Sequence, residues 1–167
     1  MTNRALGINT LAIHAGEAPD PSTGALVPPI HLATTYHLGT AEHGAAIFAG
    51  EKEAFVYSRW ANPTVATFER KAAVLEHGEA AIATASGMAA ISAAVLTLVK
   101  AGDHIVAAKA IYPSTYHLMV QQLGSLGIES TFVDATEPSN VAAAIRPTTR
   151  LIYLETPGNP LLSLCDL

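Results

Sequence analysis

The hydrophobic pattern changes character near residue 62. Before it, apolar residues are scattered. Pro19, Pro21, Pro28 and Pro29 break the chain and Gly16, Gly24, Gly39, Gly44 and Gly50 punctuate it. After it, the spacing becomes regular. Asn62-Pro63 reads as a helix start, with Asn as N-cap and Pro at the first helical position. Val65, Phe68, Ala72 and Leu75 follow at helical intervals, and Gly78 closes the run. Ala80–Thr84 reads as a short apolar strand. Ser86-Gly87 opens a second helix that runs to Lys100. It is apolar on nearly every face, which predicts burial all round. Further strands are predicted at His104–Ala108, Glu129–Val133 and Arg150–Leu154, with helices at Pro113–Leu126 and Pro138–Ile145.

Strand and helix thus alternate at intervals of roughly 20–25 residues, the pattern of βαβ units. The expected fold is α/β, a mostly parallel sheet flanked by helices, with an irregular N-terminal arm over residues 1–61. Residues 62–167 form the sheet domain. The pattern stops shortly after Asn159-Pro160, with no helix to cover a sheet edge. The expectation is a truncated domain, part of a longer protein.

Composition narrows the class. Apolar residues make up 50% of the 167, and only 14% are charged, against about 25% in ordinary soluble domains. A disordered chain is excluded. Nine basic against fourteen acidic residues leave a net charge of −5, which disfavours nucleic acid as a partner. Cys165 is the single cysteine, so no intrachain disulfide forms, as befits a reducing compartment. The longest greasy stretch, Met88–Val99, falls well short of the ~20 residues needed to cross a bilayer. No apolar leader follows Met1. A cytoplasmic protein without membrane contact is expected. The seven histidines show no metal-ligand spacing, so no metal is expected.

Four segments carry candidate chemistry. In Thr84-Ala85-Ser86-Gly87-Met88-Ala89, a small-residue turn leads into a helix whose first N–H groups suit an anion. A tight turn needing small residues explains the same segment. In Tyr57-Ser58-Arg59, two donors two residues apart suit one phosphate, although a packed Tyr beside a surface Arg is the more ordinary arrangement. Tyr112 follows a strand at its carboxyl end, where open α/β sheets bind ligands. It can stack on a flat ring or give a proton, or it can be a core aromatic. Asn159, between Gly158 and Pro160, stands after another strand and offers an amide to a ligand or simply makes a turn. No Walker motif or Gly-x-Gly-x-x-Gly occurs.

In this order and spacing, the four segments resemble the Cys/Met-metabolism family of pyridoxal-phosphate enzymes. Thr10–Gly16, Val27-Pro28-Pro29-Ile30 and Tyr57–Thr64 look like further landmarks of that family, so the resemblance runs over essentially the whole chain. Ala41–Gly50 followed by Tyr57-Ser58-Arg59 is most similar to the methionine γ-lyase branch. The resemblance implies a type I pyridoxal-phosphate fold. It also implies γ-elimination or γ-replacement on methionine, cystathionine or an O-acyl-homoserine, as lyase or transferase. The backbone N–H groups of Gly87 and Met88 would hold the cofactor phosphate. Tyr57 and Arg59 would reach the phosphate of a neighbouring subunit, in a homo-oligomer of the homotetramer kind with shared sites. Tyr112 would stack on the ring and assist proton movement, and Asn159 would bond the ring hydroxyl.

Two departures are visible. In methionine γ-lyases the residue two past the ring-stacking Tyr is usually Cys, and here it is Ser114, so synthase, sulfhydrylase and other lyase chemistries stay open. The family's Schiff-base lysine stands in a Ser-x-Thr-Lys motif, and none of Lys52, Lys71, Lys100 or Lys109 does. The 167 residues are therefore expected to be inactive alone. The alternative is a truncated, non-catalytic paralogue serving only as a subunit partner.

Overall fold

A computed structural model describes residues 6–167; the first five residues of the expected arm lie outside them. The chain divides into two compact units, one ending at Ala83 and one spanning Thr84–Leu167.

The first unit is irregular apart from three helices, α1 (Ile8–His14), α2 (Ala41–Phe48) and α3 (Pro63–Leu75). Thr40 caps α2 by accepting from the His43 N–H. Helix α3 starts where Asn62-Pro63 predicts, with the Asn62 side chain accepting from the Thr64 N–H at 2.9 Å. α1 lies against α3: Lys71 Nζ donates to the Ile13 carbonyl at 2.9 Å and pairs with Glu17 at 2.5 Å. The link between them turns at Gly16, whose φ is +73°. A Cβ there would come within 2.8 Å of the Lys71 backbone nitrogen, so only glycine fits.

The predicted strand Ala80–Thr84 does not form. The segment has no regular structure and no strand partner, and Ile82 is 86% exposed. Its Ala83 N–H goes to a side chain instead, Glu69 Oε1 at 2.8 Å. An apolar run without a neighbouring strand cannot close a ladder, whatever its propensity.

The second unit holds a three-stranded parallel sheet in the order β2-β1-β3. Its strands are β1 (His104–Ala108), β2 (Glu129–Val133) and β3 (Thr149–Tyr153). β1 is central and buried at every position, which is why it reads as a continuous apolar run. It pairs with β2 from His104↔Glu129 to Ala108↔Val133. Against β3 the register shifts between His104 and Ile105. Helix α4 (Gly87–Leu98) precedes β1, and α6 (Pro138–Ala144) joins β2 to β3. The predicted single helix after Tyr112 is an α-helical turn, α5 (Pro113–His117), running into a π-helical segment, Leu118–Leu123. That wider turn puts Met119 and Leu123 side by side in the core with Ile105, Val95 and Ile128.

α4 is not buried all round. Val95 is its only fully buried residue, while Leu96 and Leu98 are about half exposed. β3 and α5 are the elements packed on it within this unit, so an all-apolar helix finds partners for one face alone.

Candidate functional site

Two parallel neighbours, β1 and β3, end at the same edge of the sheet. β1 leads through Ala110 and Ile111 to Tyr112, the residue before Pro113 at the start of α5. β3 leads to Glu155–Pro160. Parallel pairing therefore delivers Tyr112 and Asn159 to one rim, the rim where open α/β sheets bind ligands.

The two loops are tied together by Glu155. Its Oε2 accepts from the Tyr112 N–H at 2.8 Å and its Oε1 from the Asn159 N–H at 3.2 Å. A second tie is steric. Gly158 is buried, and a Cβ there would stand 2.9 Å from the Ala110 carbonyl oxygen and 2.8 Å from Ser163 Oγ. Within the second loop, Gly158 donates to the Ser163 carbonyl at 2.8 Å and accepts from the Leu162 N–H at 2.7 Å. The Tyr112 side chain is left 44% exposed, free to meet a ligand.

The N-terminus of α4 bears on the same helix that Tyr112 begins. Thr115, wholly buried, points its hydroxyl at Met88 Sδ, 3.8 Å away. Ser86 caps α4, its Oγ accepting from Ala89 at 3.1 Å and its carbonyl from Ala90 at 3.1 Å. Among the described residues the N–H groups of Gly87 and Met88 have no acceptor, and nothing stands within 4 Å of where a Gly87 Cβ would be. The result is an uncovered pair of donors at the positive end of a helix. Gly87, Tyr112 and Asn159 are all exposed. None of the three lines the surface cleft at Met119, Gly124, Gly127 and Ser130.

A model of the Cys/Met metabolism PLP-dependent enzyme family matches residues 9–167. The chain belongs to that family. It is 47% identical over 161 residues to an L-methionine γ-lyase of Porphyromonas gingivalis, covering 96% of this chain and 40% of that one. It is 42% identical over 157 residues to a homocysteine synthase of Schizosaccharomyces pombe, covering 94% and 37%. The crystal structure of a cystathionine γ-lyase from Lactobacillus plantarum complexed with L-serine superimposes with a TM-score of 0.85 at 41% identity, covering 96% of this chain and 40% of that one. The chain thus spans about 40% of the length of the curated relatives it matches. Its parallel sheet with flanking helices is part of the fold of these pyridoxal-phosphate enzymes.

The residues present fit the family's cofactor. Two uncovered backbone donors suit a phosphate, a half-exposed aromatic suits a flat ring, and an exposed amide suits the ring's polar edge.

The first unit carries the other predicted pair. The Arg59 guanidinium lies 5.3 Å from the centre of the Tyr57 ring, a cation–π approach that holds the two donors side by side. Their loop is pinned from below. Thr35 and Tyr57 form an antiparallel bridge, and Ser58 donates to the Ala33 carbonyl. Asn62, 7% exposed, spreads its Nδ2 over the His31 carbonyl at 3.1 Å, the Tyr36 hydroxyl at 3.1 Å and Ser58 Oγ at 3.0 Å.

Asn62 is therefore more than a cap. Asn62→Ala is expected to cost about 2 kcal/mol, roughly 1 for the cap and 1 for acceptors left unpaired. Asn62→Asp should recover the cap part only. Urea unfolding followed by Trp60, the only tryptophan, measures both; equal stability of Asn62→Ala and the parent would refute the pinning role.

Sequence reasoning did not assign roles to Glu155, Gly158 or Thr115. Glu155 had a visible signal, an acidic residue immediately past a strand at the ligand edge. The approach of Gly158 to Ala110 and of Thr115 to Met88 depends on segments more than 25 residues away and leaves no trace in local pattern. Among the described residues, no group of three or more His, Cys, Asp or Glu is arranged to hold a metal ion. Among the same residues, no helix is long and apolar enough to cross a membrane.

Proposed function

We propose that this chain is part of a pyridoxal-phosphate enzyme that performs γ-elimination or γ-replacement on a sulfur amino acid. The observation carrying this reading is the convergence of Tyr112 and Asn159 on one sheet edge, with the Met88 side chain in the first turn of α4 meeting Thr115 of the helix that Tyr112 starts. Pyridoxal phosphate, when bound, supplies the electron sink for carbanion chemistry. The chain's own residues do the rest. The N–H groups of Gly87 and Met88 donate to the phosphate. Tyr112 lies against the ring, and its phenol moves a proton at the substrate's leaving group. The Asn159 amide donates to the ring hydroxyl. Tyr57 and Arg59 donate to the phosphate held by a neighbouring subunit, which makes the working protein a homo-oligomer, a tetramer by family resemblance.

No lysine here stands in the Ser-x-Thr-Lys setting, so the 167 residues hold the cofactor without a specific covalent link and do not turn over substrate alone. Titration of the chain with pyridoxal phosphate and with pyridoxal tests the reading, followed by absorbance and calorimetry. Pyridoxal phosphate should bind at least tenfold more tightly than pyridoxal. Equal affinities, or none, would overturn the phosphate assignment. Borohydride treatment should fix cofactor to no single lysine; one specifically labelled lysine would overturn the inactive-alone reading.

A further inference from the structure

We infer that Glu155 is a positioning residue that sets the spacing between Tyr112 and Asn159. The inference deepens the proposed function, since it rests on those two residues facing one ligand. One carboxylate takes a backbone N–H from each loop, at 2.8 and 3.2 Å, across 43 and 4 residues of sequence. Each bond is charge-assisted, and such bonds are roughly twice as strong as neutral ones. Neither oxygen has another partner among the described residues. The Tyr112 N–H has no helical acceptor, because it precedes the first turn of α5. Without Glu155 it would face solvent.

The carboxylate is held from its own side. The Glu155 carbonyl faces Cys165 Sγ at 3.8 Å, and Thr156 Oγ1 accepts from the Cys165 N–H at 3.1 Å. The segment after β3 therefore folds back on itself, which fixes where the Glu155 side chain starts. From there its two oxygens fix the two loops. Ring stacking and the ring-hydroxyl bond need Tyr112 and Asn159 at one separation, and displacement by about an ångström is enough to cost most of a positioned contact. A glutamine in this place presents one oxygen and one NH2. It can keep one loop, but its amide hydrogens oppose the other N–H.

The test uses the whole 167-residue chain. In amide-resolved NMR from pH 3 to 8, the Tyr112 and Asn159 N–H signals should titrate together with a single midpoint. Glu155→Ala should abolish that titration and speed exchange of both amides at least tenfold, while Glu137→Ala leaves both alone. Separate midpoints, no titration, or a change at one amide only would overturn the inference. The second measurement is affinity: Glu155→Gln should weaken pyridoxal phosphate and pyridoxal alike by tenfold or more and leave inorganic phosphate unchanged. Unchanged affinity for the ring would overturn the positioning role even if the amides titrate together. A parent chain that titrates as expected but binds no pyridoxal phosphate would instead refute the function proposed above, leaving the Glu155 link standing.

Discussion

Replacing His104 with alanine is expected to destabilise the second unit by about 2–4 kcal/mol, the range for a buried ring that both fills space and satisfies hydrogen bonds. His104 is 1% exposed and lies in the central strand. Its Nδ1 meets Thr149 Oγ1 of β3 and its Nε2 meets Thr131 Oγ1 of β2, both at 2.8 Å. One imidazole therefore ties all three strands together. Arg146 joins the cluster, its guanidinium reaching Thr131 Oγ1 at 3.0 Å and its backbone N–H reaching Thr149 Oγ1 at 2.8 Å. Alanine would leave both hydroxyls without the ring and open a cavity between β2 and β3. Urea unfolding with an unchanged m-value would measure the loss. A difference below about 0.5 kcal/mol, the scale of ordinary surface substitutions, would mean the ring is not holding the strands.

The same residue carries a pH signature. Burial lowers the His104 pKa below its usual 6.5, and the Arg146 charge lowers it further, with Glu129 partly opposing. A neutral ring donates through one nitrogen and accepts a hydroxyl proton at the other; protonation removes that acceptor. Because the unfolded chain binds the proton more readily, stability rises with pH in this window. The His104 contribution is complete above the unfolded value and falls as pH drops below about 6.5 toward the folded pKa. The carboxylates act lower. Hydrogen bonds from Ser22 and Thr23 hold Asp20 at about 2, and those from Thr136 hold Asp134 below its usual range. Their contributions fade only as pH falls below about 4. A stability profile from pH 8 to 5 should slope for the parent and lie flat for His104→Ala.

How much of this was legible in sequence depended on where the information sits. β1 was readable to the residue, because a parallel strand buried on both faces writes a largely apolar run between turn residues, and β2 was readable because Thr131, Phe132 and Val133 favour a strand after the Gly127 turn. The start of α3 was readable because Asn62 and Pro63 act on their own backbone. Ala80–Thr84 was misread because propensity cannot say whether a partner strand exists. α4 was misread because its composition reports what it could bury and not how many neighbours surround it. The site divided the same way. Tyr112 and Asn159 could be named from their places after strands. The groups that align them could not. Glu155 acts on a backbone N–H 43 residues earlier, and Asn62 on a carbonyl 31 residues earlier. Such links are set by chain topology, which a local pattern does not encode.

Two glycines at the rim should separate fold from site. Gly158→Ala is expected to cost about 1–3 kcal/mol, the range for forcing extra volume into a packed position. The added carbon would meet Ser163 Oγ at 2.8 Å, Ala110 O at 2.9 Å and Ala110 Cβ at 3.1 Å. Ser163 can rotate away. Ala110 cannot, because its carbonyl is main chain and its Cβ is rigid. Relief must come from moving the β3 loop off the β1 loop, two residues before Tyr112 and one before Asn159. Pyridoxal phosphate affinity should therefore fall with stability, by tenfold or more. Gly87→Ala is the opposite case. Its Cβ site is open and its φ is not in the left-handed region, so stability should hold or rise by a few tenths of a kcal/mol, as alanine outranks glycine in helices. Yet a methyl group beside the N–H pair stands where a phosphate must come close to the backbone, and affinity should drop without any change in unfolding. Thermal unfolding and cofactor titration on both variants give four numbers. Loss of stability in Gly87→Ala would place that glycine in the packing of α4, and full affinity in Gly158→Ala would show that the two loops need not touch to bind the ring.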